Sequence, residues 1–324
     1  MAARGKKPVV RELPAFIEPM LAKAADPFDS DEHLFEVKWD GTRAMCFVGA
    51  GGVRLMNRRR RDITFRYPDL ACLKNLPKGT ILDGEIVVLR PDGSPNFAAL
   101  QIRDQCEAAR KIKAVARFHP AAYIVFDQLY ERYRNVMDRP LLDRRERARA
   151  TVARCGDNRI VMSEGVTGDG VGYFNAAVER GLEGVVAKRL DSRYFPGKRN
   201  DCWLKIKRCE TMAAVVIGFI PEGSRDFGAL IVATEIDGEL TSVGKVGSGF
   251  TERVRREIND FLWDHLRDTP AVPSRTRGTW VEPKLYCLVR CMERTPGGQL
   301  RAPVFGGLHG GPDQGWKERR RSSK

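Results

Sequence analysis

The sequence predicts an α+β chain in two parts, a mixed N-terminal domain followed by a small all-β barrel. Three observations point there. The 324 residues exceed what one core normally organises, since cores stop growing at roughly 250 to 300 residues. Up to about residue 207, strand-like runs alternate with helical patterns, and beyond residue 213 short strands recur with glycine-rich punctuation. In the first part, apolar and β-branched runs predict strands at 35–37, 53–56, 81–89, 123–129 and 184–188. Helical patterns cover 141–154 and 175–180, the latter closed by Gly181. The second part reads as strands at 215–220, 229–234, 239–246 and 285–291, interrupted by an amphipathic helix over 252–266. The expected domains are therefore 1–208 and 209–312, with 313–324 a basic tail lacking apolar partners.

Composition narrows the partners. Lysine and arginine number 56 against 42 acids, a net charge of +14, so the expected partner is a polyanion such as nucleic acid. The eight cysteines form no Cys-x-x-Cys pair and have no histidine at zinc-ligand spacing, which reads as free thiols in a reducing compartment. Four histidines, His33, His119, His265 and His309, suggest neither a histidine metal site nor a histidine-centred triad. No apolar run reaches a membrane span and residues 1–11 lack a signal core, so a soluble intracellular protein is expected.

The most informative motif is Lys38-Trp39-Asp40-Gly41-Thr42-Arg43, following the strand-like Leu34-Phe35-Glu36-Val37. A lysine amine becomes nucleophilic once deprotonated in a desolvated or cation-flanked site. Asp40 could orient a hydroxyl or water, Gly41 admits close backbone approach, and the planar fork of Arg43 suits phosphate. Further charged motifs follow in order: the arginine run 58–61, Asp83-Gly84-Glu85, Glu183-Gly184-Val185-Val186-Ala187-Lys188, and Trp203-Leu204-Lys205-Ile206-Lys207. In the last, period-two alternation sends both lysines to one face, opposite Leu204 and Ile206, where an anion such as a triphosphate would relieve their repulsion. Taken singly, each motif also fits a plain structural role: an Asp-Gly turn, a core phenylalanine at Phe126, a solvated charge run.

Together, the ordered motifs resemble the covalent nucleotidyltransferases, and specifically ATP-dependent DNA ligases of the compact bacterial group that acts with Ku-type end-binding proteins in double-strand break repair. Glu18-Pro19-Met20-Leu21-Ala22, residues 243–250 and Leu300-Arg301-Ala302-Pro303-Val304-Phe305 carry the subgroup likeness. The resemblance implies a nucleotidyltransferase (adenylation) domain of antiparallel sheets with flanking helices, then an OB-fold barrel on a hinge. It makes Lys38 the nucleophile that becomes adenylated and Asp40 a candidate to orient or deprotonate the 3′-hydroxyl. Glu36 would face the adenine and Phe126 stack on it; Arg43 and Arg58 would hold phosphate. Glu85 would lie near ribose and metal, Glu183 would help hold the metal, and Lys205 and Lys207 would grip the α-phosphate. It further implies ATP, Mg²⁺ or Mn²⁺, nicked or broken double-stranded DNA, a Ku-type partner, a monomer and the bacterial cytoplasm.

Two departures stand out. Arg60 occupies a position where most of that family has glycine, and an extra DNA-backbone contact is one expectation for it. The family's closing Arg-x-Asp-Lys is replaced by His309-Gly310-Gly311-Pro312. Either Asp313, Lys317 or Arg319 substitutes, or self-adenylation is impaired, and slow self-adenylation is the expectation. Competing functions are an RNA ligase or capping-type guanylyltransferase, which share the lysine chemistry, and a non-catalytic ligase-like DNA-binding module.

Overall fold

The computed structural model describes residues 12–310 apart from 237, 293 and 296. The expected basic tail, with Asp313, Lys317 and Arg319, lies outside the described residues. The chain divides into two compact units, Met1–Lys207 and Arg208–Lys324.

Two sheets make the first unit, with strands numbered along the chain. The five-stranded sheet runs β1 (Leu21–Ala24), β11 (Arg199–Lys207), β10 (Gly184–Arg189), β2 (Ser30–Val37), β9 (Gly165–Gly168). The second runs β4 (Gly52–Asn57), β3 (Thr42–Gly49), β5 (Thr80–Val88), β6 (Ala121–Glu131), β7 (Arg134–Asn135), with β8 (Ile160–Met162) also on β6. Most pairings are antiparallel; β1 with β11 and β6 with β8 are parallel. The inner faces meet in a core that joins Met45, Phe47 and Ile81 of one sheet to Trp203 of the other, with Met20 and Tyr194 beside them. Outer faces are covered by helices. α1 (Phe97–Gln105) and α3 (Leu141–Ala153) bury Leu100 and Ala148 against the second sheet. α4 (Gly170–Glu179) buries Ala177 against Phe35, Val185 and Ile206 of the first. α2 (Ala109–Phe118) follows α1 closely and buries only Ile112 and Ala116.

The differences from the sequence reading have physical causes. α4 starts five residues earlier than expected because Asp169 caps it, accepting from the Gly172 N–H at 2.8 Å. Asp83 and Gly84 make no turn: they sit inside β5, where every residue except Glu85 is buried. A Cβ on Gly84 would lie 2.6 Å from the Ile124 carbonyl oxygen and the Tyr123 ring, so the glycine admits a neighbouring strand. α3 buries Leu141, Arg144, Arg145, Ala148 and Thr151, a helical stripe in which two arginines take apolar places.

The second unit is one antiparallel sheet in the order β14 (Glu239–Val246), β13 (Asp226–Ile236), β12 (Glu210–Glu222), β16 (Thr279–Cys291), β15 (Leu266–Arg267), with β17 (Val304–His309) on β16. Both faces of β12 and β13 are buried, which explains their nearly unbroken apolar runs. The sheet curls towards closure: the Phe305 N–H donates to Ser248 O and the Leu300 N–H to Val243 O, each at 2.8 Å. α5 (Glu252–Asp264), capped by Thr251, lays Ile258 and Leu262 on one face. All eight cysteines are free thiols, and among the described residues no helix is long and apolar enough to cross a membrane.

Arg144 is a fully buried charge in the first unit. It grips Asp127 bidentately at 2.8 and 2.8 Å and donates to the Arg139 and Ser192 carbonyls, with neither charged side chain exposed. Removing it strands a buried carboxylate. Arg144→Met should therefore lower stability by about 3–5 kcal/mol in urea unfolding, and adding Asp127→Asn should recover part of that loss.

Candidate active site

Alternation along three paired strands builds the site. The register of β2, β10 and β11 directs Glu36, Lys38, Lys188, Trp203, Lys205 and Lys207 to the inner face, and Phe35, Val185, Ala187 and Ile206 to the helix-covered outer face. Lys38 follows directly on β2, its backbone N–H donating to Gly184 O at 2.9 Å. Its Nζ lies 2.5 Å from Glu183 Oε2, while Lys207 Nζ lies 2.5 Å from Glu183 Oε1. One carboxylate thus bridges two ammonium groups. Burial alone would raise the Glu183 pKa, but Lys38 and Lys207 outweigh it and hold the carboxyl below its ordinary value. Lys205 joins the group; burial, reinforced by Lys207, Arg199 and Lys38, moves its pKa down.

Glu85 reaches the same place from β5. Burial pushes its carboxyl up to about 8 against the pull of Arg43 and Lys38, with Asp83 and Glu183 adding to the rise. Gly41 makes the approach possible: a Cβ there would sit 2.3 Å from Ile86 O and 2.7 Å from Glu85 Cγ. Asp40 is half-buried on the same loop. Thr42 hydrogen-bonds Asp104 of α1, which also accepts from the Tyr67 hydroxyl.

Two further ion pairs back this cluster. Arg43 binds Asp83 through Nε (2.9 Å) and Nη2 (2.6 Å), and Met20 O through Nη1 (2.7 Å). Tyr194 donates to Asp83 Oδ2 at 2.7 Å and accepts from the Met20 N–H at 2.8 Å. Burial opposes the Arg43 charge, but Asp83 more than compensates and its pKa is raised. Beyond it, Lys188 lies 2.6 Å from Glu36 Oε2, and Arg145 binds the other oxygen of Glu36. Burial lowers the Lys188 pKa despite Glu36. Between the two pairs stand Phe126 and Trp203, ring centroids 6.0 Å apart; Lys188 Nζ is 4.3 and 4.4 Å from those centroids and the Arg43 guanidinium carbon 5.3 and 5.5 Å.

The structure therefore brings Lys38, Glu85, Glu183, Lys205 and Lys207 together, with Asp40 on the adjoining loop. It sets Arg43 and Phe126 one layer behind and buries Glu36 at 2% exposure between two cations. Arg58 stands apart from these ion pairs, exposed in the turn after β4. Asp83 and Trp203 read from sequence only as parts of motifs, without a site role, and Tyr194 and Arg145 are not singled out there. An acid inside an apolar strand could have flagged Asp83; Arg145 sits in a helix so charged that nothing marks it as buried.

The arginine turn explains one departure. Asn57 Oδ1 accepts from the Arg59 and Arg61 N–H groups at 2.9 and 3.0 Å, and Arg60 between them has φ of 59°. That left-handed backbone suits glycine. The Arg60 side chain turns back to Glu18 and lies over Phe16.

Comparison with known proteins agrees with this geometry. The ATP dependent DNA ligase domain family matches residues 19–207, and the ATP dependent DNA ligase C terminal region matches 223–310. The chain therefore belongs to the ATP-dependent DNA ligase family, and its second unit is the OB-fold domain of that family. It is 34% identical over 320 residues to the multifunctional non-homologous end joining protein LigD of Pseudomonas aeruginosa, covering 95% of this chain and 37% of that one. It is 30% identical to the SPbeta prophage-derived DNA ligase-like protein LigB of Bacillus subtilis, covering 63% of this chain and 72% of that one. Among solved structures, the ligase domain of Mycobacterium tuberculosis LigD is 32% identical with a TM-score of 0.54, covering 93% of this chain and 98% of that one. The chain spans well under half the length of the LigD relatives it matches.

Between its ordinary value and about 8, Glu85 keeps a proton in the folded chain that the unfolded chain releases, so it makes stability fall as pH rises through that window. The stability advantage of Glu85→Gln over wild type in urea unfolding should accordingly widen from pH 5 to 8 and flatten above. At Arg60, glycine should be tolerated within about 1 kcal/mol, whereas β-branched Arg60→Val should lower stability by more than that, as read by thermal unfolding.

Proposed function

We propose that this chain seals 5′-phosphate/3′-hydroxyl nicks in double-stranded DNA at the expense of ATP, through a lysyl-AMP intermediate on Lys38. The observation that carries this reading is the Lys38, Glu183, Lys207 bridge with Lys205 beside it: three ammonium groups around one ionised carboxylate leave positive charge that a nucleotide phosphate would neutralise. In the first transfer the free amine of Lys38 attacks the α-phosphorus of ATP; a P–N bond forms, the bond to the β-phosphate oxygen breaks and pyrophosphate leaves. The 5′-phosphate of the nick then takes the adenylyl group and releases Lys38. Finally the 3′-hydroxyl, oriented by Asp40, attacks the DNA phosphorus and AMP departs.

The chain's residues position and neutralise, which is what phosphoryl-type transfer asks of a protein. Lys205 and Lys207 would hold the α-phosphate, and Lys207 competes with Lys38 for Glu183, loosening its hold on the nucleophile. Phe126 would present the apolar wall for adenine, Glu36 its polar edge. Arg43 holds Asp83 and stiffens the strand that carries Glu85, and its remaining N–H groups, with Arg58, are the further phosphate donors. A divalent cation fits as a shared guest: among the described residues no three acidic, histidine or cysteine side chains converge, but Glu85 and Glu183 supply two hard oxygens of the kind Mg²⁺ or Mn²⁺ takes together with substrate phosphates. Bound there, it would neutralise developing phosphate charge. The non-homologous end joining role that the LigD relatives are named for supports break repair as the setting, with a Ku-type end-binding protein as partner.

The test is incubation with α-labelled ATP and Mg²⁺, then a denaturing gel and a chase on nicked DNA. Wild type should become labelled and lose the label into sealed DNA, and Lys38→Ala should stay unlabelled. Lys207→Ala should slow single-turnover labelling at least about tenfold, a loss of roughly 1.4 kcal/mol of transition-state stabilisation. Failure of wild type to label, and to seal pre-adenylated nicked DNA, would refute the reading.

A further inference from the structure

α2 is built against the rules for a stable helix. Its ten residues, Ala109–Phe118, hold Arg110, Lys111, Lys113 and Arg117 and no acid. Ala108 precedes it with no side-chain cap, and two of the cations fall in the first turn, where the positive end of the helix dipole disfavours them. All four are exposed, and among the described residues no ion pair engages any of them. The neighbouring Glu107 is turned to Arg66 at 3.1 Å. Elsewhere in the same unit several surface arginines find a nearby acid, Arg139 with Asp143, Arg147 with Glu131, Arg149 with Glu164 and Arg189 with Asp191, whereas α2 has no acid to offer. A row of like charges left unpaired at an unfavourable helix end is stabilised when an external polyanion supplies the missing counter-charge.

We propose that the exposed face of α2, with Arg110, Lys111, Lys113 and Arg117, binds the phosphate backbone of the duplex flanking the nick. This rests on the ligase reading above. The placement is set by covalent reach: Asp104, which holds Thr42 of the Lys38 loop, is six residues from Arg110, a span of at most about 20 Å. At roughly 3.4 Å per base pair, an arm of 15 base pairs extends about 50 Å from the nick and covers that span. The face carries no base-reading pattern, so the contact is sequence-independent and its signature is salt dependence.

The test compares wild type with the quadruple variant Arg110→Gln, Lys111→Gln, Lys113→Gln, Arg117→Gln; glutamine keeps helix propensity. Binding to a nicked duplex with 15 base pairs on each side is measured from 50 to 300 mM salt. The slope of log affinity against log salt should become shallower by about 0.9 for each phosphate that the variant no longer neutralises. Self-adenylation, which involves no DNA, should stay at the wild-type rate. Wild-type sealing with an unchanged slope in the variant would overturn the α2 assignment alone. A wild type that neither labels nor seals would overturn the ligase reading and this one with it.

Discussion

Glu183 held between Lys38 and Lys207 is the interaction on which the rest of the first unit turns. Strand alternation leaves β2, β10 and β11 no choice but to direct their charged residues to one face. That face is turned inward, where an unpaired ion is costly. Most of these charges are consequently met by another: Lys38 and Lys207 by Glu183, Lys188 by Glu36, and Arg43 of the facing sheet by Asp83. The charges grow better matched with depth. At the deep end Glu36 and Asp83 are fully satisfied; at the open end Lys205 crowds Lys207 and Lys38 without a carboxylate of its own. The mismatch is where the chemistry belongs, because an incoming phosphate completes it.

The opposite wall follows the same logic. β5 is buried along almost its whole length, yet it carries Asp83 and Glu85 two residues apart on the inner face. Asp83 takes a bidentate arginine and a tyrosine hydroxyl, whereas Glu85, half-buried and without a dedicated arginine, has its carboxyl pKa pushed up to about 8. Two carboxylates on one strand thus meet different surroundings, Asp83 an arginine fork and a hydroxyl, Glu85 neither. Met20, within the short N-terminal segment that signalled the subgroup, supplies both the carbonyl that Arg43 binds and the N–H that fixes Tyr194.

On the outside of the same unit two features run against local backbone and helix preferences. Arg60 leans on Glu18 and Phe16 in a turn that a glycine would fit, and the cations of α2 face outward with no acid in the helix. Both features raise the local cost of the fold. For α2, a polyanionic surface passing the Lys38 loop accounts for that cost.

The sequence by itself determined the two-part architecture, the strands that carry Lys38, Glu85 and Lys205 with Lys207, and the family, because period-two alternation and short ordered motifs are local properties of the chain. It placed Lys205 and Lys207 on one face for the same reason. Only the tertiary structure decided which acid answers which base. That Arg43 sets its fork on Asp83 follows only from the pairing of β3 with β5, and that Glu36 meets Arg145 follows only from the packing of α3. Arg144 and Arg145 look solvated in a helix of charges, and their burial follows from a stripe of positions whose inward direction is fixed by packing on β6. Ion pairs and hydrogen bonds of 2.5 to 2.7 Å between residues more than a hundred positions apart are properties of strand register and sheet packing, and local sequence carries no record of them.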